Sequence, residues 1–355
     1  MTAHMTYAEA MVVGLIQGVT ELFPVSSLGH NVLIPALIGG SWAQDLNVSA
    51  PESPYLAYIV GLHVATALAM ILYFWRDWVR IVRGFLTSLR DRRIATADQR
   101  LAWMIILATI PVGIAGLLLE HAFRVFFSRP VPTALFLALN GVILLGGERV
   151  RRRSPLAAPT AGPGRPDGRP TDLRAEPRPA GPQPGDPQPG DPQPGDPQPG
   201  DPQPGDPQPT GQERDLRVAR AVVIDRRLSL IGYVQAVLIG TSQIAALLPG
   251  ISRDGIVTVT GMLRGIPRED AVRFSFLLSA PVILAAGVLK VPDLTGPLGD
   301  GIRGQVLAGS LLSFAGAYFS VRFLTRYFAK ERPLTPFGVY CLLAGLGSLI
   351  YLLVR

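Results

Sequence analysis

The sequence is poor in cysteine, histidine and charge, and each shortage excludes a class of protein. One cysteine, Cys341, allows no intrachain disulfide and no zinc site built from cysteines. The four histidines show no metal-binding spacing such as HExxH. Charged residues make up 17% of the chain, against about a quarter in soluble domains. The net charge of +7 comes with no basic motif of a nucleic-acid reader, so we expect no nucleic-acid partner.

Long apolar runs are what the sequence does contain. Six runs have about the length of a membrane span: 55–75, 101–119, 131–147, 274–290, 305–323 and 337–354. Two further apolar segments, 8–38 and 228–263, are interrupted midway by FPVSSLGH and LPGISRDG. Irregular backbone at membrane depth survives only where protein or a water-filled cavity satisfies its polar groups. We therefore predict two re-entrant helix–break–helix hairpins and an all-α polytopic membrane protein. A positively charged leader with a cleavage site is absent, so we expect no cleaved signal peptide.

The charges between the spans predict an orientation. Arginines follow the spans that end near residues 75, 147 and 323, whereas the alternate loops carry few basic residues. The positive-inside rule then places both termini outside the cell. Each half, 1–153 and 214–355, contributes one hairpin and three spans, an odd number of crossings, so the halves form an inverted repeat. A shift of 226 residues supports the repeat, since it superposes Gly, Gln, Ser and Gly of the two broken segments.

The segment 154–213 has a different composition. It holds nineteen of the 33 prolines, and residues 182–209 repeat PQPGD with a period of five. Such a segment buries too little apolar area to offset its chain entropy, so we predict a disordered cytoplasmic linker. A spacer is the simpler interpretation, and recruitment of a partner protein is the alternative.

The first broken segment reads QGVTELFPVSSLGH. Gln17 and Glu21 are four residues apart, so a helix places them on one face. A carboxylate within the membrane is costly and must face a polar cavity or a cation. Ser26, Ser27 and His30 follow the helix-breaking proline. Carboxylate, hydroxyls and imidazole therefore converge at one turn.

The second broken segment reads QIAALLPGISRDG and begins with Gln243. Gly250 helps to break the helix, and Ser252, Arg253 and Gly255 lie at the start of the next one. A helix N-terminus favours an anion, and the guanidinium suits phosphate oxygens. The segment predicts a phosphate cradle at membrane depth.

These motifs carry a resemblance. QGVTELFPVSSLGH resembles the Glu/Gln-xxx-Glu and PVSSxGH signature of the bacterial undecaprenyl-diphosphate phosphatase family, and LPGISRDG resembles that family's PGxSRSG motif. REDAVRFSFLLSAPVI is also similar, and the match spans the chain apart from the linker. The resemblance implies a membrane enzyme that hydrolyses a polyprenyl diphosphate to the monophosphate carrier lipid of cell-wall synthesis. It also implies inverted repeats, a site open to the outer face, and help from a divalent cation, Mg²⁺ or Ca²⁺, with no organic cofactor.

The resemblance also assigns roles to residues. The acidic and Glu/Gln positions fall on Glu21 and Gln17. The catalytic serine falls on Ser27, the histidine on His30 and the phosphate-binding arginine on Arg253. Phosphate contacts are expected from Ser26, Gly250, Ser252, Arg253 and Gly255, support from Gln17, Gln243 and Asp254, and a metal contact from Glu21.

Two positions depart from the family pattern. Asp254 stands where the family usually has Ser, and Val257 where it usually has Thr. Asp254 either pairs with Arg253 and is inert, the reading we favour, or helps to hold a cation. The hydroxyl missing at 257 is not replaced by Thr258, because one helical residue turns by about 100°.

Several residues keep simpler alternatives. Glu21 could pair with a structural arginine, and Ser27 could cap backbone groups. His30 could only hydrogen-bond at an interface, and Gln17 and Gln243 could satisfy backbone at the breaks. We interpret His63, within a span, as a packing residue, and Cys341 as a small core residue.

The expected chemistry is phosphoanhydride hydrolysis at the membrane surface. Arg253 and backbone amides neutralise the terminal phosphate, Ser27 or a water attacks, Glu21 takes the proton or holds a metal, and His30 assists. The partners are the polyprenyl lipid and the plasma membrane, and a homodimer stays open. The alternative is a polyprenyl-phosphate flippase of the same architecture without hydrolysis, and a scaffold whose linker recruits cell-wall enzymes is a third candidate.

Overall fold

The computed structural model describes residues 5–46, 54–127, 129–153, 211–296 and 301–354. These residues form helices, with no strand among them. In chain order the helices are α1 Tyr7–Leu22, α2 Ser27–Ile38, α3 Gly40–Asp45, α4 Pro54–Tyr73, α5 Trp75–Asp91, α6 Ala97–Phe127, α7 Pro130–Arg153, α8 Gly211–Leu228, α9 Tyr233–Thr241, a 3₁₀ helix Ser242–Leu247, α10 Arg253–Leu263, α11 Arg268–Thr295, α12 Arg303–Ala329 and α13 Thr335–Val354.

Five of these helices are long and apolar enough to cross a membrane. They are Ala97–Leu119 within α6, α7, Arg268–Leu289 within α11, α12 and α13. A sixth candidate is Ala219–Leu228 with Tyr233–Leu247, a pair bent by 99°. The chain is therefore an all-α polytopic membrane protein.

Both interrupted segments contain a helix, a break and a second helix. α1 ends at Leu22 and α2 begins at Ser27, so residues 23–26 form the first break. Residues 248–252 form the second break, between the 3₁₀ helix and α10. The segment predicted over 228–263 also includes a bend after α8, because α8 ends at Leu228 and α9 begins at Tyr233.

Helix α5 differs from the sequence analysis, which assigned its arginines to a loop. The stretch Trp75–Asp91 is helical, with apolar residues at helical spacing between the arginines. An amphipathic helix of this composition is typical of a membrane surface. The predicted linker over 154–213 lies outside the described residues up to 210, and its last three residues are already part of α8.

Helices of the first half pack against helices of the second half. α1 packs against α12 and α9 against α6, while α4 contacts α11 and α7 contacts α13. Small residues let the backbones approach: Gly14 of α1 lies on Gly309, and Gly240 of α9 lies on Ala108. Gly14 and Gly240 are the pair that the 226-residue shift superposes.

Candidate active site

The two breaks lie against each other in the fold. The backbone N–H of Gly250 donates to Ser26 Oγ at 3.1 Å, a contact between residues 224 positions apart. A Cβ added to Gly29 would lie 3.0 Å from the Gly250 Cα, so the backbones are in close contact. The hairpins thereby bring the two sequence motifs into one site.

Asn140 of α7 bridges the two breaks. Its Nδ2 donates to the carbonyl oxygen of Pro24 at 3.0 Å, and its Oδ1 accepts from the backbone N–H of Ser252 at 3.0 Å. The residue is fully buried. Sequence analysis missed Asn140, and an uncompensated asparagine amide inside an apolar run was the signal that pointed to it.

Glu21, at the end of α1, is the centre of the site. The hydroxyl of Ser27 and the amide of Gln17 donate to Glu21 Oε2, the latter at 2.9 Å. Arg253 Nη2 lies 3.5 Å from Oε1, and His63 Nε2 lies 3.5 Å from Oε2. The carboxylate is nearly buried, with 6% of its side chain exposed. Carboxylate, hydroxyl and guanidinium from both motifs are therefore in contact distance.

Ser26 and Ser27 have different local roles. Ser26 caps α2, since its Oγ accepts from the N–H of Gly29 at 3.2 Å. Ser27 is the first residue of α2, and its hydroxyl points to Glu21 instead. Of the two neighbouring serines, Ser27 is the one whose hydroxyl adjoins a base.

Arg253 keeps one buried donor free. The residue is the first of α10, and its Nη1 is buried with no hydrogen-bond partner among the described residues. Burying an unpaired guanidinium N–H is costly, so a partner from outside the protein would relieve it. This donor beside Glu21 suits an anionic oxygen of a ligand.

The remaining predicted phosphate contacts are bonded within the protein. Ser252 Oγ accepts from the N–H of Gly255 at 3.2 Å, which repeats the cap at Ser26. The N–H groups of Gly250 and Ser252 donate to Ser26 Oγ and Asn140 Oδ1, as described above. These residues build the turn that presents Arg253.

His30 lies at the break but its ring is bonded elsewhere. Its Nδ1 is 2.7 Å from the Ser26 carbonyl oxygen, which can only accept, and its Nε2 is 2.7 Å from the Tyr340 hydroxyl. The two rings also stack, with centroids 5.7 Å apart. The geometry is that of a residue that supports the turn.

The two predicted glutamines differ. Gln17 is buried, donates to Glu21, and accepts from Asn31 Nδ2 at 2.5 Å. Gln243 donates to the Gly240 carbonyl oxygen at 3.2 Å, and its Oε1 is buried without a partner among the described residues. Gln17 belongs to the Glu21 site, and Gln243 bonds to the backbone of α9, outside the break at residues 248–252.

The favoured pairing of Asp254 with Arg253 is wrong. The Asp254 carboxylate accepts from Ser275 Oγ at 2.5 Å and from Ser279 Oγ at 2.6 Å, both on α11. Successive residues of a helix point about 100° apart, so Arg253 turns to Glu21 while Asp254 turns to α11. Asp254 is buried and held by two hydroxyls.

His63 of α4 is the second residue whose place the sequence analysis misjudged. We interpreted it as packing, but its Nε2 lies 3.3 Å from Gln17 Nε2 and 3.5 Å from Glu21 Oε2. No local motif surrounds it, and α4 reaches the site only through tertiary packing. A histidine in an otherwise uncharged span was the available signal.

The side chains that the structure describes do not by themselves form a metal site. Among the described residues, no group of three or more His, Cys, Asp or Glu side chains lies close enough to hold an ion. Mg²⁺ is commonly bound by one or two carboxylates together with phosphate oxygens of a substrate. Glu21 with a diphosphate fits that pattern, so the divalent cation stays a prediction.

A cavity of about 350 Å³ lies elsewhere in the molecule. Its lining includes Arg151, Arg220, Arg227 and Arg268. Arg151 is eleven residues along α7 from Asn140, a distance of about 16 Å on a helix. The cavity is therefore separate from the site around Glu21.

Comparison with known proteins identifies the family of the chain. The family model "Bacitracin resistance protein BacA" matches residues 10–163 and 216–347. An undecaprenyl-diphosphatase of Mycolicibacterium paratuberculosis is 54% identical over the full length of both chains. Undecaprenyl-diphosphatase 1 of Frankia casuarinae is 51% identical over 96% of each chain, and undecaprenyl-diphosphatase 2 of Chromobacterium violaceum is 34% identical over 99% of this chain and 100% of its own. The chain belongs to the bacitracin resistance protein BacA family.

Proposed function

We propose that this protein is a membrane hydrolase that cleaves undecaprenyl diphosphate to the monophosphate carrier lipid and inorganic phosphate. The observation that carries the proposal is the contact of Ser27, Glu21 and Arg253, which come from two hairpin breaks. The relatives named above as undecaprenyl-diphosphatases cover nearly the whole chain and support the same reaction. Recycling of the carrier lipid supports peptidoglycan synthesis and explains the link to bacitracin resistance in the family's description.

Ser27 acts as the nucleophile in this proposal. Its hydroxyl already donates to Glu21, so the carboxylate takes the proton as Ser27 Oγ bonds to the terminal phosphorus. The bond from that phosphorus to the bridging oxygen breaks, and the prenyl monophosphate leaves. A water oxygen then bonds to the phosphorus of the phosphoserine as the bond from that phosphorus to Ser27 Oγ breaks. Glu21 returns the proton to Ser27 Oγ, and the phosphate departs with the hydrogens of the water.

Arg253 stabilises the charge of the transferred phosphoryl group. Its free Nη1 and the adjoining Nη2 can hold two phosphate oxygens. Helices α2 and α10 both begin at the breaks, and the dipoles at their N-termini favour the same anion. Ser26, Gly250, Ser252 and Gly255 shape these turns and set the position of the phosphate. A divalent cation, if bound, would sit at Glu21 with the diphosphate and neutralise phosphate charge.

We also propose that the halves form an inverted repeat with the site at their interface. α1 of the first half packs against α12 of the second, and α9 of the second half packs against α6 of the first. Together with the matching caps at Ser26 and Ser252, these contacts support a two-fold relation. The positive-inside rule supports both termini outside and the linker in the cytoplasm, and the resemblance supports a site open to the outer face of the plasma membrane. Whether the protein forms a homodimer can be tested by measuring its mass in detergent.

The flippase alternative has no support from the comparisons. The three relatives described above are each named as a diphosphatase. The hydrogen bond from Ser27 to Glu21 also places a hydroxyl beside a carboxylate. Hydrolysis through a serine needs such a pair, and transport does not.

Release of inorganic phosphate from undecaprenyl diphosphate by the purified protein tests the proposal. We expect turnover by the unchanged protein and a loss of at least about 100-fold in Ser27→Ala and Glu21→Gln, because the nucleophile or its base is removed. Ser348→Ala, a serine of α13 outside the site, is the matched control and should keep its activity. Phosphate release by Ser27→Ala at the rate of the control would contradict the nucleophile assignment, and no release by the unchanged protein would contradict the function.

A further inference from the structure

His63 contacts the central carboxylate from a helix that belongs to neither broken segment. Its Nδ1 lies 2.8 Å from the carbonyl oxygen of Ile59, one turn earlier in α4. Its Nε2 faces Gln17 at 3.3 Å and Glu21 at 3.5 Å. About a fifth of the side chain is exposed, whereas Glu21 is nearly buried.

When the ring of His63 is neutral, the hydrogen-bond chain through it has one consistent arrangement. The Ile59 carbonyl can only accept, so the hydrogen of a neutral ring is on Nδ1, and Nε2 is left as an acceptor. The Gln17 amide has two hydrogens: one goes to Glu21 at 2.9 Å and the other is directed at His63 Nε2. The amide oxygen of Gln17 is taken by Asn31. Every polar atom of the Gln17 side chain therefore has a partner.

We propose that His63 is a positioning residue, which holds the Gln17 amide and through it the orientation of the Glu21 carboxylate toward Ser27. The inference rests on the proposed phosphatase function. Reaction rates depend steeply on such geometry, since a misplacement of 1 Å can cost about 100-fold. Without the Nε2 contact, the Gln17 amide can rotate, and Glu21 Oε2 loses a fixed donor beside the serine.

His30 has different hydrogen-bond partners from His63. Both of its ring nitrogens are bonded, to the Ser26 carbonyl and the Tyr340 hydroxyl. Of the two histidines near the breaks, His63 is the one that adjoins the carboxylate.

A matched pair of substitutions separates the two ring nitrogens. In His63→Gln the terminal amide reaches the position of Nε2, whereas in His63→Asn it reaches only that of Nδ1. We expect His63→Gln to keep kcat within about threefold of the unchanged enzyme. We expect His63→Asn to lose 10- to 100-fold in kcat, with KM changed less than threefold, because chemistry rather than lipid binding is disturbed.

A double-mutant cycle with Gln17→Leu tests whether His63 acts through Gln17. We expect strong coupling: after Gln17→Leu, the further change His63→Asn costs less than threefold in kcat. His63→Leu replaces His63→Asn in the cycle if the latter does not fold, as judged by thermal unfolding in detergent.

Two results would overturn the proposal. The first is a kcat equal to that of the unchanged enzyme in His63→Asn, or in His63→Leu where that variant replaces it. The second is a double mutant whose loss in kcat equals the product of the losses in the two single mutants. Because all rates are compared with phosphate release by the unchanged protein, either result leaves the proposed function standing, while absence of that release refutes the function itself.

Discussion

At the scale of single residues, Ser26 has the most unusual backbone of the site. Its φ is 66°, a region that non-glycine residues seldom adopt and that costs about 1–3 kcal/mol. Its Oγ accepts from both Gly29 and Gly250, so the surrounding turns hold it in place. The strained residue immediately precedes Ser27 and directs the next hydroxyl toward Glu21. The geometry of the proposed nucleophile thus depends on contacts from the other half of the chain.

Asn140 provides a residue-scale prediction. We expect Asn140→Leu to lower the free energy of unfolding by about 1–3 kcal/mol, because the buried N–H of Ser252 loses its partner and the Pro24 carbonyl keeps only the long contact from Cys341 Sγ at 3.8 Å. Thermal unfolding in detergent measures the change. Gln235→Leu is the matched control, because its exposed bond to the Arg264 carbonyl can be replaced by water. Equal melting temperatures for the two variants would be inconsistent with a bridging role.

At the scale of helices, close backbone packing joins the halves. α1 meets α12 at Gly14 and Gly18, and α9 meets α6 at Gly240. Lipid supplies little hydrophobic drive between apolar helices, so van der Waals contact through small residues has to hold them together. The broken helices keep their depth in the bundle through these contacts.

Two glycines give a prediction at the scale of helices: substitution by alanine should destabilise the protein at Gly14 and stabilise it at Gly146. A Cβ at Gly14 would overlap the Gly309 carbonyl, so Gly14→Ala should destabilise the protein by about 1–3 kcal/mol or more. Gly146→Ala on α7 meets open space, so higher helix propensity should stabilise it by up to about 1 kcal/mol. Thermal unfolding of both variants checks the signs. Loss of stability at Gly146, or none at Gly14, would rule out this packing.

At the scale of the whole molecule, ion pairs join helices that are distant in the chain. Asp225 of α8 is buried and accepts from Arg273 of α11 at 2.7 Å and from Arg80 of α5 at 2.6 Å. Glu148 of α7 accepts from Arg268 of α11. These ion pairs join helices of both halves, and their arginines belong to the side that the positive-inside rule assigns to the cytoplasm.

The orientation provides a prediction for the whole chain, whose single cysteine can be removed as Cys341→Ala. In that background, a membrane-impermeant maleimide applied to intact cells should label Val354→Cys and leave Arg92→Cys unlabelled. Both positions are exposed, so permeabilised cells should label both and serve as the control. Labelling of Arg92→Cys in intact cells would reverse the proposed orientation.

Most of the architecture could be predicted because local composition determines it. The length of an apolar run determines whether a helix can span the membrane, and Pro, Gly and Ser clusters locate the breaks at residues 23–26 and 248–252. The amphipathic α5 was missed because its arginines were counted as loop charges. Glu21 and Arg253 could be proposed as site residues because charged side chains are unusual inside a membrane, whereas the choice of Ser27 over Ser26 came from the resemblance to the family.

The sequence by itself therefore determined the class of protein, the two breaks and the groups proposed to do the chemistry. Only the tertiary structure decided that Asp254 turns to Ser275 and Ser279, that Asn140 bridges the breaks, and that His63 reaches Gln17 and Glu21. The reason is physical: spacing along a helix predicts which face a residue shares, but which other helix lies against that face depends on packing between segments distant in the chain.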